Sequence, residues 1–302
     1  MALSKIIRNL RDVLLKTKQH ALYPYLYNKL IRRFYRKQSC ILLMLPMWWS
    51  VILGSLRPMQ IIKYFTIFSI GIACVYRIYS ILNNVILKAI IFRTKLQKCN
   101  FKDTHDANTH IKRSICELLI LSILVIVLLF TLPVTAVKIG AIWLVCSFTY
   151  LFVKKWIGYQ FIIRGFIYNI GIFMSWFSVT QFWSITPALL YISSVLCTIG
   201  HNIVYNSKRM PQGVNARSKE VILKLGNPES VRRFYTLSGV CLGIVGINNQ
   251  MNLLFYAILC CAVYMLYLQT EKIEMGYTLT KIFNFNIYSV TLVTISFSLG
   301  KF

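Results

Sequence analysis

Nine apolar runs divide the 302-residue chain, and each approaches or exceeds the length needed to cross a bilayer. Within lipid, a helix satisfies all of its own backbone hydrogen bonds, so runs of this kind predict membrane-spanning helices. The sequence therefore predicts an all-α, polytopic membrane protein, with about nine transmembrane helices around a central cavity in one integral domain over residues 1–302. The predicted spans are residues 40–57, 61–87, 115–134, 136–153, 159–183, 185–205, 234–248, 252–270 and 282–300.

The net charge of +26 could indicate nucleic-acid binding, but its placement indicates orientation in a membrane. Ten Lys and Arg residues lie within a basic segment over residues 1–38, seven lie between residues 88 and 113, and seven lie between residues 208 and 233. By the positive-inside rule these segments face the cytoplasm or the mitochondrial matrix. We therefore predict a protein of the bacterial or mitochondrial inner membrane, with a cytoplasmic or matrix N-terminus and no nucleic-acid partner.

The sixth run carries a polar stripe. Thr198, Asn202, Tyr205 and Arg209 recur at i, i+4, i+7 and i+11, which places them on one face of a helix. A polar face in a membrane helix is costly unless it faces a cavity or a partner helix. The stripe therefore indicates a binding site or, as the alternative, a contact that joins two helices.

Span two carries a second polar face. Arg77, Asn84 and Lys88 lie at i, i+7 and i+11, and Arg77 lies well within an apolar context. An ionisable residue inside a membrane helix indicates a functional site by default. Arg164 in span five shares a face with Tyr168, so we expect its guanidinium to reach a cavity, a partner or, by snorkelling, the membrane interface.

These polar positions fall in motifs that resemble those of the UbiA superfamily of membrane prenyltransferases. In that family the passage after span six reads roughly D-x-x-Y-A-x-x-D-x-x-D-D-x-x-x-G-x-K-S-T-A-x-x-F-G, and Tyr205, Lys219 and Gly226 match it here. The spacing of these matching residues is the same as in the family motif, but the acidic residues of the motif are missing. Their positions are occupied by Asn202, Arg209, Gln212 and Gly213.

The end of span two resembles the family motif N-D-x-x-D-x-x-x-D and the R-T that follows it. Asn83 and Asn84 stand at the Asn-Asp position, and the R-T falls at residues 93–94. The next aspartate position holds Leu87 or Lys88, depending on the register. This motif has therefore also lost its carboxylates.

Spans four and five carry two further likenesses. Lys154 and Lys155 resemble the basic pair of the family's Y-P-x-x-K-R, and Asn169 resembles the asparagine of L-G-x-x-F-N-W-G. The resemblance implies that the basic pair contacts the diphosphate or the carboxylate of the acceptor. The same pair could instead be an orientation signal of an inside loop.

The resemblance implies a reaction, a cofactor and partners. The family transfers a polyprenyl group from its diphosphate to an aromatic or other lipid-soluble acceptor, such as 4-hydroxybenzoate in ubiquinone-type biosynthesis, and holds Mg²⁺ with carboxylates. None of the eight acidic residues of this chain stands at a family metal position. Mg²⁺ requires anionic oxygen ligands, whereas Lys and Arg bind phosphate directly. We therefore expect a polyprenyl diphosphate site that lacks metal ligands.

The sequence thus predicts a diverged UbiA-type prenyltransferase homologue whose activity is weak or lost, with a prenyltransferase-like core in residues 40–226 and C-terminal helices in residues 227–302. Two alternatives stay open: a non-catalytic membrane protein that binds isoprenoid diphosphate, and an unrelated transporter-like helical bundle. No catalytic or metal-binding residue is assigned. The predicted substrate-binding residues are Arg77, Asn83, Asn84, Lys88, Lys154, Lys155, Asn169, Asn202, Tyr205, Arg209 and Lys219.

Overall fold

The computed structural model describes residues 41–55, 57–95, 102–153, 159–209, 227–274 and 279–301. These residues form helices and contain no strand, as the sequence predicts. The helices are α1 (Ile41–Gly54), α2 (Pro58–Lys95), α3 (Lys102–Phe130), α4 (Val134–Val153), α5 (Gln160–Asn169), α6 (Gly171–Val179), α7 (Ile185–Arg209), α8 (Pro228–Asn248), α9 (Leu253–Glu274) and α10 (Leu279–Lys301).

The membrane prediction is confirmed by the length and composition of these helices. Four segments of the described chain are long and apolar enough to cross a bilayer, namely Pro58–Leu82, Ile162–Val179, Ile185–Val204 and Leu253–Lys272. The apolar parts of α1, α3 and α4 are shorter. Each predicted span corresponds to one helix, apart from span five, which forms the two helices α5 and α6.

Span five is interrupted because the side chain of Asn169 competes with the backbone. Its Nδ2 donates a hydrogen bond to the carbonyl of Gly165 at 2.7 Å, and the backbone N–H of Ile170 turns to the carbonyl of Ile167 at 3.4 Å. Asn side chains that bond to nearby backbone carbonyls commonly disturb a helix in this way. The short helix α6 that follows is largely buried in the bundle.

The helices pack largely in chain order, and α1 closes the arrangement. Trp48 on α1 stacks on Phe65 of α2 with ring centroids 4.6 Å apart. On the other side of α1, the indole Nε1 of Trp49 donates to the hydroxyl of Thr294 on α10 at 2.8 Å. The first and last helices of the described chain are therefore in direct contact.

The C-terminal end of α1 is held by Lys301 on α10. The ammonium Nζ donates to the carbonyls of Ile52 at 2.6 Å and Leu53 at 3.0 Å, and also to the carbonyl of Ser55. The last carbonyls of a helix have no partner within that helix and carry its partial negative charge. A lysine at this position donates hydrogen bonds to these carbonyls and places a positive charge beside their partial negative charge.

We predict that Lys301→Met destabilises the protein by about 2 kcal/mol, because hydrogen bonds to a charged donor contribute about 1.5–3 kcal/mol. The measurement is the thermal unfolding of purified protein in detergent, followed by tryptophan fluorescence. Lys138→Met is the matched control, because Lys138 is an exposed lysine near the start of α4. Equal melting temperatures for the two variants would contradict the role given to Lys301.

Candidate functional site

One end of the bundle joins the segments that are rich in Lys and Arg, and we call it the basic end. Here α2, α4, α7 and α9 end, and α3, α5, α8 and α10 begin. The hydroxyl of Tyr150 near the end of α4 donates to the carbonyl of Gln160 at the start of α5 at 2.9 Å. Arg232 near the start of α8 donates to Thr270 near the end of α9 at 2.7 Å. These contacts place the helix ends side by side.

A group of polar side chains lies just inside the basic end, on α5, α7 and α10, and all but the half-buried Thr198 are buried. We call it the polar centre; its members are Asn169, Thr198, His201, Asn202 and Asn286. His201 and Asn286 form a buried hydrogen bond between Nδ1 of the imidazole and Nδ2 of the amide, which links α7 to α10. Asn202, the next residue along α7, is only 2% exposed. The polar stripe of span six therefore turns inward at Asn202.

Asn169 joins the polar centre from α5. In addition to its bond within α5, its Nδ2 donates to the hydroxyl of Thr198 on α7 at 3.1 Å. Thr198 lies one helical turn before Asn202, so both belong to the same face of α7. The structure thus packs Asn169 against the face of α7 that carries Asn202 one turn further along, and the roles of Asn169 and Asn202 in substrate binding stay predictions.

Three tyrosines form an aromatic wall beside this group. Tyr168 on α5 meets Tyr79 of α2 and Tyr150 of α4 edge to face, with ring centroids 6.4 Å apart in both pairs. Edge-to-face contact is a favourable geometry for aromatic rings. The wall therefore connects α2, α4 and α5 next to the polar centre.

Arg164 on α5 turns toward the inside of the bundle. Its Nε atom is fully buried, and the guanidinium lies within electrostatic range of Tyr150, Tyr168 and His201. The sequence left open whether this arginine reaches a cavity or snorkels to the interface. The sequence also allowed a partner within the protein, and the structure gives that arrangement, with the guanidinium near Tyr150, Tyr168 and His201. A cation therefore lies beside the neutral polar centre.

Arg77 forms an ion pair between α2 and α3. Its Nε lies 2.6 Å from Oε1 of Glu117 on α3, and the two side chains are 57% and 37% exposed. The sequence put Arg77 in the diphosphate site because it shares a face with Asn84 and Lys88. In the described structure Arg77 pairs with Glu117, and Tyr79 is the α2 side chain that belongs to the aromatic wall, so the role of Arg77 in the diphosphate site stays a prediction.

The other predicted residues lie outside what the structure describes. Lys154, Lys155 and Lys219 fall outside the described ranges. The remaining five lie in helices, but their side chains are outside the description, and they are Asn83, Asn84 and Lys88 in α2 and Tyr205 and Arg209 in α7. The roles of all eight stay predictions.

Sequence reasoning missed Asn286 and His201. Asn286 lies in an apolar helix, and a polar residue within a membrane span is itself a signal of function or of a partner helix. No family motif falls on this helix, so Asn286 was not among the predicted substrate-binding residues. His201 carried no spacing signal, although it is adjacent to Asn202.

The chemistry of this donor set differs from that of a magnesium site. Amide, imidazole and hydroxyl groups can donate or accept hydrogen bonds, and a guanidinium binds phosphate or carboxylate through two parallel bonds. Mg²⁺ is a hard cation that is usually held by one or two carboxylates. Asn169, Asn202 and Asn286 offer neutral oxygens beside the cationic Arg164, so the described residues of the polar centre do not fit Mg²⁺.

Comparison with known proteins gives matches to a family profile, to curated proteins and to a solved structure. Residues 114–290 match the profile of the UbiA prenyltransferase family. The chain is 22% identical over 229 residues to 4-hydroxybenzoate octaprenyltransferase of Francisella tularensis subsp. mediasiatica (strain FSC147), covering 75% of this chain and 80% of that protein. The corresponding enzyme of Francisella tularensis subsp. novicida (strain U112) is 21% identical over 229 residues, with the same coverage.

The fold also resembles a solved structure of a digeranylgeranylglyceryl phosphate synthase. The TM-score is 0.58 at 15% sequence identity, and the match covers 90% of this chain and 98% of the other. The family match excludes the alternative of an unrelated transporter that shares only a helical architecture. The region that matches the family profile continues past residue 226, where the predicted prenyltransferase-like core ends, to residue 290.

We predict that the Asn169–Thr198 bond couples α5 to α7 by about 1 kcal/mol, the usual net contribution of a hydrogen bond. A double-mutant cycle with Asn169→Leu and Thr198→Val measures this as the non-additive part of the free energy of unfolding in mixed micelles. Thr66→Val combined with Asn169→Leu is the control, because Thr66 bonds only to Ile62 in its own helix. The control pair is expected to be additive, and additivity in the Asn169–Thr198 cycle would disprove the coupling.

Proposed function

The chain belongs to the UbiA prenyltransferase family, and we propose that it keeps the diphosphate-binding part of the family's activity without the metal-dependent part. In this proposal a polyprenyl diphosphate binds at the basic end through cationic and amide side chains. Transfer of the prenyl group to an aromatic acceptor such as 4-hydroxybenzoate is weak or lost.

The surroundings of Asn202 are the observation that supports this proposal most. Asn202 occupies the position of the first aspartate in the family motif, and it is buried in the polar centre next to His201. An amide can accept a hydrogen bond, but it cannot neutralise a divalent cation. With Arg164 close by, the local charge favours an anion directly and disfavours a metal.

Electrostatics explains how binding and catalysis can separate. A diphosphate leaving group carries several negative charges, and Mg²⁺ stabilises the additional charge that develops when the bond to the prenyl carbon breaks. Arg and Lys can bind the ground-state diphosphate through charge-assisted hydrogen bonds. We therefore assign diphosphate binding to Arg164, with Arg209, Lys154, Lys155 and Lys219 at the basic end as further cations.

We assign binding of the aromatic acceptor to the aromatic wall. Tyr79 and Tyr168 are partly exposed beside the polar centre, and partly exposed aromatic rings can bind a flat aromatic acceptor, while the buried Tyr150 packs against Tyr168. An aromatic acceptor is also consistent with the relatives that are named 4-hydroxybenzoate octaprenyltransferase. We propose a bacterial or mitochondrial inner membrane location, with the basic end on the cytoplasmic or matrix side.

We predict that purified protein binds labelled geranylgeranyl diphosphate equally well, within twofold, in Mg²⁺ and in EDTA. Arg164→Met is expected to weaken this binding about tenfold, because a hydrogen bond to a charged group contributes about 1.5–3 kcal/mol. The measurement is equilibrium binding in detergent. Arg233→Met is the matched control: Arg233 pairs with Glu229 at 2.6 Å on the surface, where its side chain is 74% exposed.

Two results would count against the proposal. Binding that falls more than tenfold in EDTA would mean that a metal is required. Equal loss of binding in the Arg164→Met and Arg233→Met variants would mean that general charge, rather than the buried guanidinium, attracts the ligand.

A further inference from the structure

The end of the bundle opposite the basic end exposes large apolar side chains, and we call it the far end. Here α1, α3, α6 and α8 end and α2, α4, α7 and α9 begin, joined through residues 55–57, 131–133, 180–184 and 249–252. In the part of the chain that the structure describes, every large apolar side chain that is at least 70% exposed lies in or beside one of these connections: Met59, Phe130, Val134, Trp183, Ile247 and Leu253. Such exposure indicates contact with a membrane or with another protein.

The backbone of these connections requires polar surroundings. Residues 131–133, 180–184 and 249–252 belong to no helix, and irregular backbone is not tolerated in the hydrocarbon core of a bilayer. Exposed polar side chains accompany it, namely Gln181, Gln250 and Asn252. The apolar side chains therefore need a different environment from the backbone that carries them. The head-group region of a bilayer provides both environments, and Trp is enriched there for this reason.

The turn between α6 and α7 holds two aromatic rings outward. The indole Nε1 of the buried Trp176 donates to the carbonyl of Phe182 at 3.0 Å, and the hydroxyl of Thr180 donates to the carbonyl of Trp176 at 3.1 Å. Gln181 has a φ of 58°, a left-handed conformation that residues other than Gly seldom adopt unless the surrounding structure fixes it. The side chains of Phe182 and Trp183 are 62% and 73% exposed. Their exposure is therefore a property of a fixed turn.

The charge of the far end complements lipid phosphates. Arg57, Lys63 and Lys138 are exposed at or within about two helical turns of these connections. None of the eight acidic residues of the chain lies within ten residues of a far-end connection along the sequence. Long basic side chains near the end of a membrane helix extend toward the interface, where their charge meets polar groups. The far end is therefore both apolar and cationic.

We propose that the far end binds a lipid surface: it lies among the head groups of one leaflet, with Phe182 and Trp183 inserted at the level of the lipid ester groups. The cationic side chains of the far end lie beside the lipid phosphates. A lipid surface fits better than a partner protein, because exposed apolar side chains flank all four connections instead of forming one patch on one side. This interaction does not depend on the proposed binding of diphosphate at the basic end.

The test measures the depth of Trp183 in the bilayer. The full chain is reconstituted in phosphatidylcholine vesicles that carry a nitroxide quencher either on the choline head group or at carbon 12 of an acyl chain. The fluorescence of Trp183 is the difference between the wild-type protein and Trp183→Phe. We expect the head-group nitroxide to quench this difference about twofold more than the carbon-12 nitroxide, because Trp183 lies at the interface. Iodide in the water is expected to quench it less than the head-group nitroxide does.

Two added tryptophans extend the test to another connection. Leu253→Trp places an indole at the start of α9, where the native side chain is 85% exposed. Tyr264→Trp is the matched control, because Tyr264 is 63% exposed on the same helix, eleven residues or about 16 Å further into the membrane. We expect the tryptophan at 253 to be quenched more by the head-group nitroxide, and the tryptophan at 264 to be quenched more by the carbon-12 nitroxide.

Three outcomes would overturn the proposal. Quenching of Trp183 that is equal for the two lipids, or stronger at carbon 12, would mean that the turn is not at the interface. Strong quenching by iodide with weak quenching by both lipids would mean that the turn lies in water, where it is available to a partner protein. The third is the same depth profile in Leu253→Trp and Tyr264→Trp. If Trp183→Phe fails to fold, as judged by its melting temperature, this pair decides the question.

Discussion

Polar groups inside a membrane bundle must find their partners within the protein, and this requirement connects the parts of this structure. Asn169 interrupts span five and reaches Thr198 on α7. The bond between His201 and Asn286 joins α7 to α10, and Lys301 joins α10 to the end of α1. Apolar side chains supply most of the packing between the helices. These few polar contacts fix which helices meet at the polar centre.

The same requirement limits the chemistry of the site. A carboxylate at the position of Asn202 would be anionic and would need a metal or a cation beside it. The amide needs neither, and Arg164 supplies a cation beside the polar centre. Replacing aspartate by asparagine therefore removes negative charge from a site but preserves much of the site's shape and hydrogen bonding. In our account this is how a member of the family can retain its phosphate ligand and lose the divalent ion.

Hydrophobic segmentation predicted the fold well, because span length and helical periodicity are local properties of a sequence. The polar positions Asn169 and Asn202, which the family resemblance singled out, are both buried inside the bundle. The sequence did not predict that Arg77 pairs with Glu117, because the two residues are 40 positions apart on different helices. Which side chains a helix face contacts depends on how each helix is rotated about its axis relative to its neighbours. The periodicity of one sequence does not predict that rotation.

The rate of prenyl transfer tests the central claim most directly. Purified protein is incubated with labelled polyprenyl diphosphate and 4-hydroxybenzoate, in Mg²⁺ and in EDTA, and the prenylated acid is measured. We predict that Mg²⁺ does not raise the rate above the rate in EDTA. Turnover that depends on Mg²⁺ and collapses in Asn202→Ala would contradict the account, because it would show that a metal acts at the polar centre despite the missing carboxylates.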